Sequence, residues 1–244
     1  MKKKLLPLAA LLVLAGCHPF KTQVYEDNLA MALEQDSPDS LLMSISLEYV
    51  SGGPAQEAVE AINQAIVTQA FDLESIPGGL EETAIQYREN LIDEYLSENQ
   101  NLSGNEICSW EDQLDGSFGP EWKGWKNYTL SYYNYRGGAH AITTVTCLVF
   151  DAKTGALLSE ADLFQEGYQK ALKPLLDQAI RQYLQEDVEL LPLVDMEAVA
   201  PNGNFYLGKE GVTWVFQPYE IGPYALGILS PTISWTDLKP YLLK

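Results

Sequence analysis

Residues 128–150, YTLSYYNYRGGAHAITTVTCLVF, constrain the fold of this chain more than any other stretch. Tyr- and Thr-rich residues run up to Arg136, and a Thr/Val-rich apolar run follows from Ile142 to Phe150. Both have the composition of β-strands, and the second reads as a buried one. Gly137 and Gly138 between them allow the positive φ that a tight reversal requires. The pair is therefore expected to be a hairpin, with His140 beside its turn. His140 is the only histidine far from the N-terminus.

The remaining periodicities place other elements around this hairpin. Residues 41–50, LLMSISLEYV, alternate strictly, with Leu41, Met43, Ile45, Leu47 and Tyr49 on one face; that is a half-buried strand. Gly52-Gly53 ends it, and Pro54 suits the first turn of a helix over 54–71 with Ala58, Ile62, Ala65 and Ile66 in one stripe. A second helix is expected over 80–97, with Ala84, Tyr87, Leu91 and Tyr95 facing inward and an acidic outer face. Residues 106–112 read as a strand, and 115–124 as a Gly/Pro-containing loop. Asp151 to Gly155 has the chemistry of a hairpin turn. Ser159 to Asp162 reads as the capped start of a third helix, running to about residue 185 and kinked or broken at Pro174. After it come a hairpin over 204–217, a Pro/Gly loop over 218–227, a short strand over 233–235 and a terminal turn. Helices segregated from antiparallel hairpins give an α+β fold: an antiparallel sheet built from hairpins, with about three helices packed on it.

The N-terminus reads as an address. Lys2, Lys3 and Lys4 precede an apolar run from Leu5 to Leu14, too short to span a bilayer, and Leu14-Ala15-Gly16-Cys17 resembles the bacterial lipobox. The resemblance implies a signal peptide over 1–16, cleavage before Cys17 and diacylglycerol on the Cys17 sulfur, hence an anchored protein of the cell envelope. Residues 17–35 then read as anchor and tether, 36–126 as a helix-rich half and 127–244 as a hairpin-rich half. His18 stands where an Asp would favour inner-membrane retention, which points to the outer membrane, facing the periplasm, in a Gram-negative host.

Charge and cysteines narrow the chemistry. The formal charge is −19, and losing Lys2, Lys3 and Lys4 makes it −22. That disfavours nucleic acid and anionic lipid headgroups and suits a cationic protein partner, while also favouring solubility. Cys108 and Cys147 remain after Cys17; they are either a disulfide between neighbouring strands in an oxidising envelope, or two buried thiols. No paired-histidine or Cys-x-x-Cys motif exists, so no metal or cofactor is expected. No nucleophile elbow is present, and Cys147 and His140 point to opposite faces of a regular strand. Trp122, Trp125, Tyr132 and Tyr135 could stack on sugars or fill the core. Tyr219 and Tyr224, in the Pro/Gly loop with Glu220, are amphipathic residues of the kind interfaces favour.

Three pieces in order carry a family resemblance: Gly137-Gly138-Ala139-His140 after a Tyr-rich strand; Asp151 to Gly155 followed by Asp162-Leu163-Phe164; and Asn204-Phe205-Tyr206 leading to Phe216-Gln217-Pro218-Tyr219-Glu220-Ile221-Gly222-Pro223-Tyr224-Ala225. Together they resemble the extracellular domain of RsiV-type, lysozyme-sensing anti-sigma factors. The same domain accompanies a peptidoglycan deacetylase and occurs alone in lipoproteins. The resemblance implies an α+β extracytoplasmic domain that binds a protein, lysozyme in the sensor branch. The candidate contact residues for such a partner, taken from the 218–227 loop and the 137–140 turn, are His140, Tyr219, Glu220 and Tyr224. The deacetylase's metal motif has no counterpart here, and Ala141 stands where the family turn has Pro. The expected function is thus a non-catalytic, lipid-anchored protein binder; a glycan-binding accessory and an enzyme of unrecognised type are the alternatives.

Overall fold

The computed structural model describes residues 20–33, 40–53, 55–73, 78–100, 102, 108–185, 187 and 189–243. The proposed signal peptide, Cys17 and His18 lie outside the described residues.

A five-stranded sheet forms the frame. Its strands are β1 (Lys21–Met31), β2 (Leu41–Gly52), β3 (Trp110–Trp122), β4 (Trp125–Tyr135) and β5 (Ile142–Asp151), side by side in that order. All neighbours are antiparallel except β2 and β3, which run parallel. A parallel pair needs a crossover, and helices α1 (Gln56–Ala70) and α2 (Leu80–Asn99) stand between them in the chain. They cover one sheet face. Leu41, Met43, Ile45 and Leu47 of β2 meet Ile62 and Ile66 of α1 and Leu91 and Tyr95 of α2 in a first core. Asn63 of α1 joins this helix to the sheet: its side-chain amide both donates to Val50 O and accepts from Val50 N, each at 2.8 Å.

Residues 152–243 build a second core. After the short helix α3 (Glu160–Leu163) comes α4 (Tyr168–Tyr183), then a three-stranded antiparallel sheet of β6 (Phe205–Leu207), β7 (Gly211–Trp214) and β8 (Thr232–Ser234), and a last short helix α5 (Trp235–Leu238). Trp214, Phe205 and Phe216 are buried there with Leu172, Leu176 and Ile180 of α4. β5 serves both cores. Leu148 and Phe150 point into the first and Val149 into the second, as the period-2 alternation of a strand dictates.

The α+β reading stands, with a mixed sheet and a separate small one in place of a single hairpin-built sheet. Several local expectations change. Residues 115–122 are strand rather than loop: β3 runs through Gly116, with a bulge between Phe118 and Glu121 that accommodates Pro120. The reversal is the pair Lys123-Gly124, at φ +50° and +85°. Part of the segment read as a tether is edge strand β1. The third helix breaks before Gly167, which sits at φ +81°, and α4 continues through Pro174. Its apolar stripe of Leu172, Leu176, Ala179 and Ile180 holds it to the core, whereas Tyr183 is exposed. The expected helix start at Ser159 is observed: Asp162 Oδ2 accepts from Ser159 N at 2.9 Å and Ser159 Oγ at 2.6 Å, and these donors hold the Asp162 carboxyl below its ordinary range.

Cys108 and Cys147 are not bonded to each other. Cys147 pairs with Thr129 on β4, and Glu111 of β3 pairs with Tyr135, six residues further along β4. Cys108 lies three residues before Glu111. At about 3.3 Å per residue this separates the cysteines by roughly 20 Å or more, against the 4.4–6.8 Å between Cα atoms that a disulfide tolerates.

Candidate functional site

The β4–β5 turn and the 218–227 loop meet at one end of the large sheet. His140 stacks on Tyr224, with ring centroids 3.9 Å apart and planes 18° apart. Its Nδ1 lies 3.0 Å from Ala141 O, and its Nε2 lies 3.3 Å from Tyr219 Oη. A proton on Nδ1 is donated to the carbonyl, and the tyrosine hydroxyl can serve Nε2 as donor or acceptor. Tyr224 Oη also donates to Ala141 O, at 2.9 Å. Tyr219 and Tyr224 sit 5.7 Å apart. The three rings thus form one cluster on the surface, with Tyr219 56% and Tyr224 36% exposed. Tyr219 adopts φ +70°, a conformation a non-glycine residue holds only when its surroundings impose it.

Glu220 does not join them. Its Oε2 accepts from Gln217 N and its Oε1 from Asn202 Nδ2, both at 2.7 Å. Its role is to brace the loop that presents Tyr219. Gln217 completes the brace, because its side-chain amide grips Val145 of β5, accepting from the N–H at 3.0 Å and donating to the carbonyl at 2.6 Å. Asn204 grips the same strand, accepting from Cys147 N at 2.7 Å and donating to Val145 O at 2.8 Å. The outer edge of β5, which would otherwise be open to pairing, is closed here by side-chain amides. The 218–227 loop is therefore fixed to the sheet, and its tyrosines are pre-positioned.

The chemistry for a nucleophile is poor. Cys147 is buried, and burial pushes its thiol up to about 11, only partly offset by a hydrogen bond with Thr129. Against its ordinary 9.0, the thiolate fraction at pH 8 falls about 100-fold. Iodoacetamide should therefore leave Cys147 unlabelled in the folded Cys108→Ser variant at pH 8 and label it rapidly in urea. Rapid labelling of the folded protein would contradict this environment. His140 has its ring nitrogens turned to Ala141 and Tyr219, not to a thiol. Among the described residues, no group of three or more His, Cys, Asp or Glu side chains could hold a metal ion. The tryptophans weighed as a sugar platform, Trp122 and Trp125, pack half-buried against the second core, and Tyr132 points inward.

Two buried carboxylates were not singled out by sequence reasoning. Asp112, 1% exposed, accepts from Tyr87 Oη at 2.7 Å, Tyr132 Oη at 2.8 Å, Asn134 Nδ2 at 3.1 Å and Arg136 Nη2 at 2.9 Å. Arg136 in turn lies over the Trp110 ring, 4.3 Å from its centroid. Burial, with the Asp112 charge adding to it, pushes the Tyr87 hydroxyl far above its ordinary range, so it is a permanent donor. Glu160 Oε1 accepts from Trp214 Nε1 at 2.7 Å and Gly203 N at 3.0 Å, and its Oε2 from Tyr168 Oη at 3.0 Å. Each carboxylate is engaged on both oxygens by protein donors. Their arrangement is that of structural hubs.

Comparison with known proteins agrees with this architecture. Residues 161–236 match the family model described as "Protein of unknown function (DUF3298)". The match spans α4, the small sheet and the Tyr219–Tyr224 loop. Two crystal structures share the fold over more than nine-tenths of the chain. A DUF3298-family member from Bacteroides fragilis is 22% identical, with a TM-score of 0.80 over 92% of this chain and 94% of its own. A DUF3298-family protein from Pseudomonas aeruginosa is 17% identical, with a TM-score of 0.70 over 93% of this chain and 95% of its own. No curated protein matches the chain.

Proposed function

We propose that this chain is a cell-envelope lipoprotein, anchored through Cys17, whose DUF3298-type domain is a non-catalytic protein binder contacting its partner through Tyr219, Tyr224 and His140. The observation that carries the reading is Tyr219: a large exposed ring held at positive φ on a loop clamped to β5. A strained, exposed aromatic that the surroundings hold rigidly loses little entropy on binding, which is how interface anchors gain affinity. The resemblance to lysozyme-sensing ectodomains and the net charge of −19 point to a cationic partner, a lysozyme-like muramidase.

Immobilised protein should retain lysozyme at low salt and, more weakly, at moderate salt. Tyr219→Ala or Tyr224→Ala should weaken retention by about tenfold or more, the loss of about 1.4 kcal/mol or more expected at an aromatic anchor. Failure to retain lysozyme at either salt overturns the muramidase partner. Retention unchanged in both variants overturns the site.

A further inference from the structure

The end of the sheet opposite the His140 cluster has a different character. There the β3–β4 hairpin closes on Lys123-Gly124, with Trp122 and Trp125 paired across the turn. Lys123 Nζ lies 5.2 Å from the centroid of the Trp122 ring. Lys126 Nζ lies 4.9 Å from the Phe118 centroid and 5.9 Å from that of Phe20. The 151–155 turn is joined to this tip by a hydrogen bond from Ala152 N to Gly124 O at 2.8 Å, which brings Lys153 alongside. Leu157, 52% exposed, bridges to Phe150, which pairs with Lys126. In a chain of net charge −19, Lys21, Lys123, Lys126 and Lys153 gather at one end among half-exposed Trp and Phe rings. The acids nearby include Glu121, opposite Lys126, Glu48, whose Oε2 accepts from Phe118 N at 2.8 Å, and Asp151, whose Oδ1 is occupied by Lys153 N, Thr154 N and Thr154 Oγ1.

This end is also where the anchor attaches. Phe20 is three residues after Cys17, so the Cys17 Cα lies within about 11 Å of the Phe20 Cα, and the lipidated sulfur within about 14 Å, in any conformation of the intervening chain. Tryptophan favours the membrane–water boundary because its ring is apolar and its N–H polar, and lysines beside it attract lipid phosphates. We propose that this end is a membrane-seating surface: Trp122 and Trp125 enter the headgroup region of the bilayer that holds the Cys17 lipid, and Lys21, Lys123, Lys126 and Lys153 face its phosphates. The proposal rests on the Cys17 anchor. It makes a second contact from a single lipid attachment, and it orients the domain. β4 and β5 then carry the His140–Tyr219–Tyr224 cluster about 30 Å from the surface, at about 3.3 Å per residue along β4.

The test uses the full lipid-bearing chain in vesicles of mixed zwitterionic and anionic phospholipid, with plain or tail-brominated acyl chains. Brominated lipid should quench part of the tryptophan emission, and the Trp122→Phe/Trp125→Phe variant should lose that quenching. The Lys123→Glu/Lys153→Glu variant, which alters only exposed side chains, should lose much of it while keeping its fold by circular dichroism. A lipid-bearing chain with the same emission in both vesicles, or with quenching that persists in both variants, overturns the seating surface. The mass of the N-terminal peptide reports the anchor separately: a chain without diacylglycerol on Cys17 overturns the anchor and the seating that depends on it.

Discussion

Asp112→Ala is expected to lower the unfolding free energy by about 3 kcal/mol, read as a shift of the urea midpoint at unchanged slope. Removing one partner of a buried ion pair costs about 3–5 kcal/mol because the other charge is stranded. Here Arg136 retains 29% side-chain exposure and keeps its place over Trp110, so part of its hydration is recovered and the low end applies. What is not recovered is the acceptor for Tyr87, Tyr132 and Asn134, which stay where water is scarce. For a chain of this size the loss corresponds to roughly 6–12 °C in Tm. Asp112→Asn, which keeps an acceptor oxygen but not the charge, should fall between wild type and Ala. Because the residues act as one network, Asp112→Ala combined with Arg136→Met should cost less than the sum of the two single changes. Strict additivity would show that the pair is not coupled and would remove the network from the account of stability.

Asp112 also shows what a sequence reveals and what it conceals. It stands at an inward position of β3, in register with Trp110 and Leu114, and a carboxylate among core-facing residues of a strand is a readable sign of a buried hub. The expected strand ends at Asp112, short of Leu114, so the alternation that sets Asp112 on the inward face is cut off at its last residue. Gly116 is there because of a neighbour far along the chain: a Cβ at that position would lie 2.2 Å from Tyr128 Oη. No local pattern announces such a contact. The parallel pairing of β2 with β3 is hidden for a related reason, since it depends on how two helices fill the crossover. By contrast β2, the β4–β5 hairpin, α1 and α2 follow from their own periodicity, and the capped start at Ser159 from three residues. At the candidate site, Tyr219 and Tyr224 are legible as amphipathic residues of a Pro/Gly loop and His140 as a turn residue. Their meeting is not, because it is made by Gln217 and Asn204 gripping β5 across more than 50 residues of chain. Glu220, a candidate contact residue by sequence, braces the loop through Gln217 N and Asn202 Nδ2.

Trp214→Ala is expected to be the most damaging single change in the chain. Trp214 is fully buried between Phe164 and Phe205, with ring centroids 6.1 and 6.5 Å away. Truncating a buried aromatic costs about 3–5 kcal/mol in transfer and cavity terms, and leaving Glu160 short of a donor adds about 1–3 kcal/mol. The total approaches the whole stability of an ordinary domain. Trp214→Phe separates the two contributions: it fills most of the volume but cannot donate to Glu160, and should cost about 1–3 kcal/mol. The extent of unfolding is as informative as its size. Val149 lies in the second core, while Leu148 and Phe150 lie in the first. Asn127 of β4 binds Leu207 of β6 in both directions, at 2.8 and 2.9 Å. A strand that faces two cores cannot lose one without exposing the other. Far-UV circular dichroism in urea should therefore show Trp214→Ala losing both sheets in one transition, at a lower midpoint than wild type. A residual plateau with the five-stranded sheet intact would mean that the first core folds by itself, and that β5 passes between two independent units instead of joining them.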